Sequence, residues 1–139
     1  MKLTLFSVEE ANRVANELRP SLERLVETKR EFDRLEWQID VLSLAASGAG
    51  PDNPDAQELS QALGKRESLG EELRKGIGAI HRRGPVVKDL DRGLVDFYSI
   101  SGDRLIFLCW QLDETEIGHW HALEGGFSSR QPLNRSELE

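Results

Sequence analysis

The first half of the chain is patterned for helix. After Phe6 and Ser7, apolar residues recur at Val14, Leu18, Leu22, Leu25, Phe32, Leu35, Ile39 and Leu42, mostly three, four or seven positions apart. That spacing collects them on one helical face. Ser7 and Glu10 have the spacing of a capping box, and Phe6 stands where it can staple against Ala11, so a helix is expected to begin at Val8. Pro20 lies inside the pattern, where it removes a backbone hydrogen bond and crowds the preceding turn. A kink near Glu17 is expected, and the pattern leaves open whether the helix bends there or is divided.

Residues 47–54, SGAGPDNP, break the pattern. Asn53 is placed to cap a second helix with Pro54 at its first position, followed by Leu59, Leu63, Leu69 or Gly70, Leu73, Ile77 and Ile80. His81, Arg82 and Arg83 suit the negative end of its dipole, and Gly84 with Pro85 supplies a stop. Gly64, Gly70, Gly76 and Gly78 each cost such a helix roughly 1 kcal/mol relative to alanine. Close helix packing is the expected reason for them. Two helices of this length reach about 45–57 Å, beyond what a module of this size covers, so the uncovered apolar stripe invites a second subunit in coiled-coil fashion.

From Val86 the period changes to that of strands: Val86–Leu90, Leu94–Tyr98 and Arg104–Gln111, separated by turns at Asp91–Gly93 and Ser101–Asp103. The run Leu105–Trp110 is apolar on both faces and is expected to be a central strand with the helices against one side. The fold class is therefore α+β: a long antiparallel helical hairpin (1–84) followed by a small antiparallel β module (85–139), together one domain over 1–139.

Composition adds constraints. The chain has 38% hydrophobic and 31% charged residues and a net charge of −7. Residues 1–84 hold 13 basic and 15 acidic side chains, and residues 85–139 hold 5 and 10. The β module is the acidic part, and no face concentrates the Lys and Arg that a phosphate backbone requires, which argues against nucleic acid. A cation or basic ligand fits that module better. The opening MKLTLFSVEE lacks the pattern of a secretory signal, and no apolar run approaches the ~20 residues of a membrane span. The single cysteine, Cys109, suits a reducing compartment, and the cytoplasm is the expected location.

The densest polar cluster is Glu114, Glu116, His119, His121 and Glu124. If this stretch is extended, His119 and His121 point to one face, as a pair of imidazole ligands would, and Glu124 could complete a site for one divalent metal ion. The plainer reading is that both histidines hydrogen-bond the backbone. In between stands a dyad of His121 with Glu124, buried or acting in acid/base chemistry. Asp96, on a neighbouring strand, could join. The loop Gly125–Arg130 could hold a small anion through backbone N–H groups and Arg130, although it reads first as a tight turn. Tyr98, Trp110 and Trp120 either pack or line a ligand pocket, and Cys109 reads as a small buried hydrophobe. Asp89, Asp91 and Gly93 lack the remainder of a calcium loop.

The stretch GPVVKDLDRGLVDFYSISGDRLIFLCWQLDETEIGHWHALEGGFSSRQPL, residues 84–133, together with FSVEEANRVANELRP near the start, resembles the bacterial family named domain of unknown function 2203. The positions carrying the resemblance include Val87, Lys88, Asp89, Gly93, Asp96, Phe97, Cys109, Trp110, Glu116, Trp120, His121, Gly126, Phe127, Arg130 and Pro132. His119 departs from it, since the family tends towards an aromatic residue before Trp-His, which weakens the two-histidine chelate and favours His121. The resemblance implies no reaction.

Two functions follow as expectations. The first is a homodimeric interaction or ligand-binding protein built on the hairpin, with Arg130, Glu124 and Trp120 as candidate ligand contacts. The second is a metal-dependent or acid/base enzyme acting on a small anionic substrate, with His121, Glu116 and Asp96 as candidate catalytic groups and His121, Glu124 and His119 as candidate metal ligands.

Overall fold

The computed structural model describes residues 2–133. Helix α1 spans Val8–Ala45 and α2 spans Pro54–Arg82; strands β1 (Val86–Asp89), β2 (Leu94–Ser101), β3 (Arg104–Gln111), β4 (His119–Ala122) and β5 (Gln131–Pro132) follow. The strands form one antiparallel meander in the order β1-β2-β3-β4-β5, so the apolar β3 is indeed central. This is the α+β hairpin-plus-sheet architecture that the sequence pattern predicts.

Both helix starts are capped by the expected residues. Ser7 and Glu10 close a reciprocal capping box, and Asn53 accepts from the N–H groups of Asp55 and Ala56 with Pro54 at the first helical position. These bonds satisfy amide groups that have no partner inside the helix. Pro20 does not divide α1, which runs continuously through it. The α2 pattern needs one correction: Ala62 is buried where Leu63 was expected, and Leu63 is exposed. At Gly84 the backbone takes φ +111°, a conformation glycine adopts without cost, and a side chain there would meet Phe6 and Thr4. The same segment is bound from the other direction, by Phe6 N donating to Tyr98 O at 2.8 Å and Ser99 Oγ to Phe6 O at 2.6 Å.

The helices cover one face of the sheet. Val95, Phe97, Ile106, Leu108 and Trp110 pack there against Phe6, Leu18, Leu22, Leu25, Leu73 and Ile80. Arg19 of α1 ties the turn after β3 to this core, donating to Leu112 O at 2.7 Å and Glu114 O at 3.1 Å with its guanidinium over the Trp110 ring. Beyond the sheet, Leu35, Ile39, Leu42, Ala62 and Leu69 form a second cluster between the helices alone. Phe32 packs against both clusters.

Because strand side chains alternate, Asp96, Tyr98, Phe107, Cys109, His119 and His121 fall on the sheet face turned away from the helices. Among the described residues no helix is long and apolar enough to cross a membrane.

Candidate functional site

The outer sheet face carries the chemistry. Asp96 on β2 and Cys109 on β3 are direct cross-strand partners, and His121 on β4 stands opposite Phe107, diagonal to Cys109. All three are about 2% exposed. One donor atom from each lies within 4.8 Å of the others, so the group could hold a metal ion. The turn after β4 folds back over them: Gly125, Gly126 and Phe127, with Lys88 and Leu94, close a cavity of about 70 Å³ against the three side chains. Phe127 is gripped between two guanidinium groups, Arg92 at 5.0 Å and Arg130 at 4.8 Å.

Hydrogen bonding fixes the protonation pattern. His121 Nδ1 lies 2.8 Å from Ala122 O and Nε2 lies 2.9 Å from Asp96 Oδ2. A carbonyl oxygen only accepts, so Nδ1 carries a hydrogen. Nε2 then either donates to a carboxylate or accepts from a carboxylic acid, and in both cases one proton is shared and the pair is neutral overall. Oδ1 of Asp96 is buried with no hydrogen-bond partner among the described residues. The Cys109 thiol adjoins the same carboxyl, but a thiol is a weak donor.

Burial raises the Asp96 carboxyl above its ordinary range, opposed by the nearby His121. Burial and then the Asp96 charge push the Cys109 thiol up to about 12. At neutral pH the sulfur therefore keeps its proton and is no nucleophile by itself. His121 does not serve as its base either, since both ring nitrogens are engaged elsewhere.

A second polar group adjoins the first. Arg130 Nη2 donates to both carboxylate oxygens of Glu114 at 2.8 Å and to Cys109 O at 3.4 Å, and Glu114 also accepts from Gln111 N at 2.7 Å. His119 Nδ1 is 3.5 Å from Glu114 Oε2. His119 and His121 share a face, as alternation requires, yet His121 is bonded to Asp96 and Ala122 O while His119 Nδ1 makes no hydrogen bond among the described residues. Glu116 and Glu124 are exposed, so the expected polar residues fall into two groups, the buried pair of Asp96 with His121 and the Arg130–Glu114 pair with His119 beside it. Trp110 and Trp120 lie on the helix-facing side, opposite Tyr98, which separates that aromatic trio. Gly125–Arg130 forms a turn containing a short 3-10 segment, Phe127–Ser129.

Sequence reasoning passed over Cys109 and Lys88 as site residues. The signal for Cys109 was the two-residue loop at Gly102 and Asp103, which sets the pairing of Ser101 with Arg104 and hence of Asp96 with Cys109. Another hollow, about 560 Å³, is an open groove between the helices lined by Glu17, Leu25, Glu72, Gly76, Ile80 and Arg83. Its Arg83 and Glu17 pair with each other at 3.3 Å.

Comparison with curated proteins and with solved structures finds no match to this chain. A family model matches residues 4–133, nearly the whole chain, and carries no assigned reaction. The chain therefore belongs to the family described as "Uncharacterized conserved protein (DUF2203)".

Proposed function

We propose that this protein binds a small ligand on the outer face of its sheet, at the cavity walled by Asp96, Cys109 and His121. One observation carries the reading: Asp96 lines the cavity, and its buried Oδ1 has no hydrogen-bond partner among the described residues beyond the weak donor of the adjoining Cys109 thiol. Leaving a buried acceptor unsatisfied costs about 1–3 kcal/mol, and a ligand that brings positive charge or a hydrogen-bond donor recovers it. This favours a cationic ligand at Asp96 over the small anion expected from Arg130, whose Nη2 is held by Glu114 although its buried Nε has no partner among the described residues. The test is a thermal-shift panel of divalent metal salts, small amines and small carboxylates. A cationic class should raise the wild-type melting temperature by about 10 °C at roughly 100-fold over its dissociation constant, and should not raise that of Asp96→Asn. If no class does so, the reading falls.

A second reading rests on a different surface. Trp37, Val41 and Leu44 are 71%, 46% and 81% exposed, and their spacing aligns them in one stripe on the far half of α1. Large exposed apolar stripes mark interaction sites, and a two-fold copy of the chain presents the matching stripe. The hairpin would then be the dimer contact. Light scattering should give twice the chain mass for wild type and the chain mass for Trp37→Asp/Leu44→Asp. A monomeric wild type rejects this reading.

The enzyme alternative draws on the same outer-face site, where Asp96 and His121 form the buried pair that acid/base chemistry uses. Glu116 and Glu124 stand outside that pair.

A further inference from the structure

We infer that Asp96, Cys109 and His121 are the protein ligands of one zinc-class divalent ion, with its remaining coordination position open to the cavity beneath Gly125, Gly126 and Phe127. This names the ligand of the site proposed above and rests on that reading. It differs from the set His121, Glu124 and His119 read from sequence spacing, because the sheet brings Asp96 and Cys109 to His121 while His119 turns to Glu114.

Four observations carry it. The three donor atoms lie within 4.8 Å of one another, and ordinary zinc bond lengths set ligand atoms roughly 3–4 Å apart. Small side-chain shifts suffice. Next, a sulfur, an imidazole nitrogen and a carboxylate form a donor set that zinc takes and that magnesium and calcium, which prefer all-oxygen shells, do not. Third, the His121 ring is held as a metal-bound histidine is: Nδ1 is tied to a backbone carbonyl at 2.8 Å, leaving Nε2 to face the other donors. Fourth, Asp96 Oδ1 is a buried acceptor with no hydrogen-bond partner among the described residues.

The charge balance points to a divalent ion. Without metal, the three ligand residues are a neutral thiol and the one-proton Asp96–His121 pair, whose net charge is zero, and Lys88 on the cavity wall keeps its own charge through the exchange. An entering M²⁺ displaces the thiol proton and the shared proton, and then faces one thiolate, one carboxylate and a neutral imidazole. The sum is again zero, and two protons leave to solvent. A buried site tolerates that exchange, whereas a monovalent or trivalent ion would leave net charge where it is costly. The cavity of about 70 Å³ has room for one or two waters at about 30 Å³ each. Three protein ligands with a water-accessible fourth position is the pattern of reactive zinc sites, not of closed structural ones.

The experiment is a titration of untagged, full-length protein with Co²⁺ as spectroscopic probe, followed by competition with Zn²⁺. One Co²⁺ per chain should bind with a near-ultraviolet thiolate-to-cobalt charge-transfer band, which Zn²⁺ should abolish. Cys109→Ser should lose the band, Asp96→Asn should weaken binding at least about 10-fold, and His119→Ala should leave the spectrum unchanged. Should Cys109→Ser fail to fold, protection of the wild-type thiol by Zn²⁺ against a thiol reagent in denaturant-loosened protein gives the same answer. A Co²⁺ spectrum that survives Cys109→Ser, or depends on His119, overturns the inference. So does an absence of binding. If metals fail while an amine still stabilises wild type but not Asp96→Asn, the ion is wrong and the ligand site stands. If neither binds, both readings fall.

Discussion

Asp96 and His121 are both buried around their hydrogen bond, and this burial sets how the site responds to pH. The Asp96 carboxyl is raised above its ordinary 3.8, chiefly by burial. The folded state therefore keeps a proton that the unfolded state releases, and stability declines as pH rises from about 3.8 through the folded value. Asn at this position offers an N–H to His121 Nε2, keeping the bond without a buried charge. In chelator-treated protein, Asp96→Asn should gain stability relative to wild type as pH rises from acid to neutral, measured by denaturant titration. A constant difference would mean the carboxyl does not titrate in that window. Cys109 gives a second residue-scale expectation. With its thiol pushed up to about 12 and buried, folded protein at neutral pH should resist alkylation over hours and react at once when unfolded; rapid reaction in the native state would sink the assignment. Asp96 and His121 were legible in the sequence as polar residues in apolar strands. Cys109 was not, because a cysteine in a strand looks like core until the register places a carboxylate opposite it.

At the scale of elements, the four glycines of α2 have different reasons to be there. A side chain at Gly76 would run into Leu25 of α1, whereas Gly64 faces open space. Gly76→Ala should therefore destabilise by about 1–3 kcal/mol through overpacking, and Gly64→Ala should stabilise by about 0.5–1 kcal/mol through helix propensity. Thermal or urea unfolding of the two variants checks both signs. The sequence pattern predicted close packing for all four, since periodicity says a residue is on a helix but not what stands across from it. The caps were fully legible because Ser7, Glu10 and Asn53 act on backbone within three residues. The turn at Gly125–Arg130 was legible too, but its 3-10 segment and the short β5 were not, because they depend on contacts with β4 and on the Phe127 ring beside Arg92 and Arg130.

For the whole molecule, the two apolar clusters matter more than any single contact. The near cluster is shared with the sheet, and the far one belongs to the helices alone. The ion pairs beside the far cluster, Lys65 with Glu31 at 2.9 Å and Arg66 with Glu36 at 3.0 Å, are exposed or half-exposed, and such pairs add little. The far half of the hairpin should open before the sheet does, and amide hydrogen exchange should show protection falling along α1 from Leu22 to Leu42. Phe32 touches both clusters, and that contact makes the chain melt as one unit or as two. Phe32→Ala should cost roughly 2–3 kcal/mol and split a single unfolding transition into two, the hairpin tip first. The aromatic ring would then be what transmits order from the sheet to the exposed Trp37 stripe, so loosening one end of the molecule would be felt at the other.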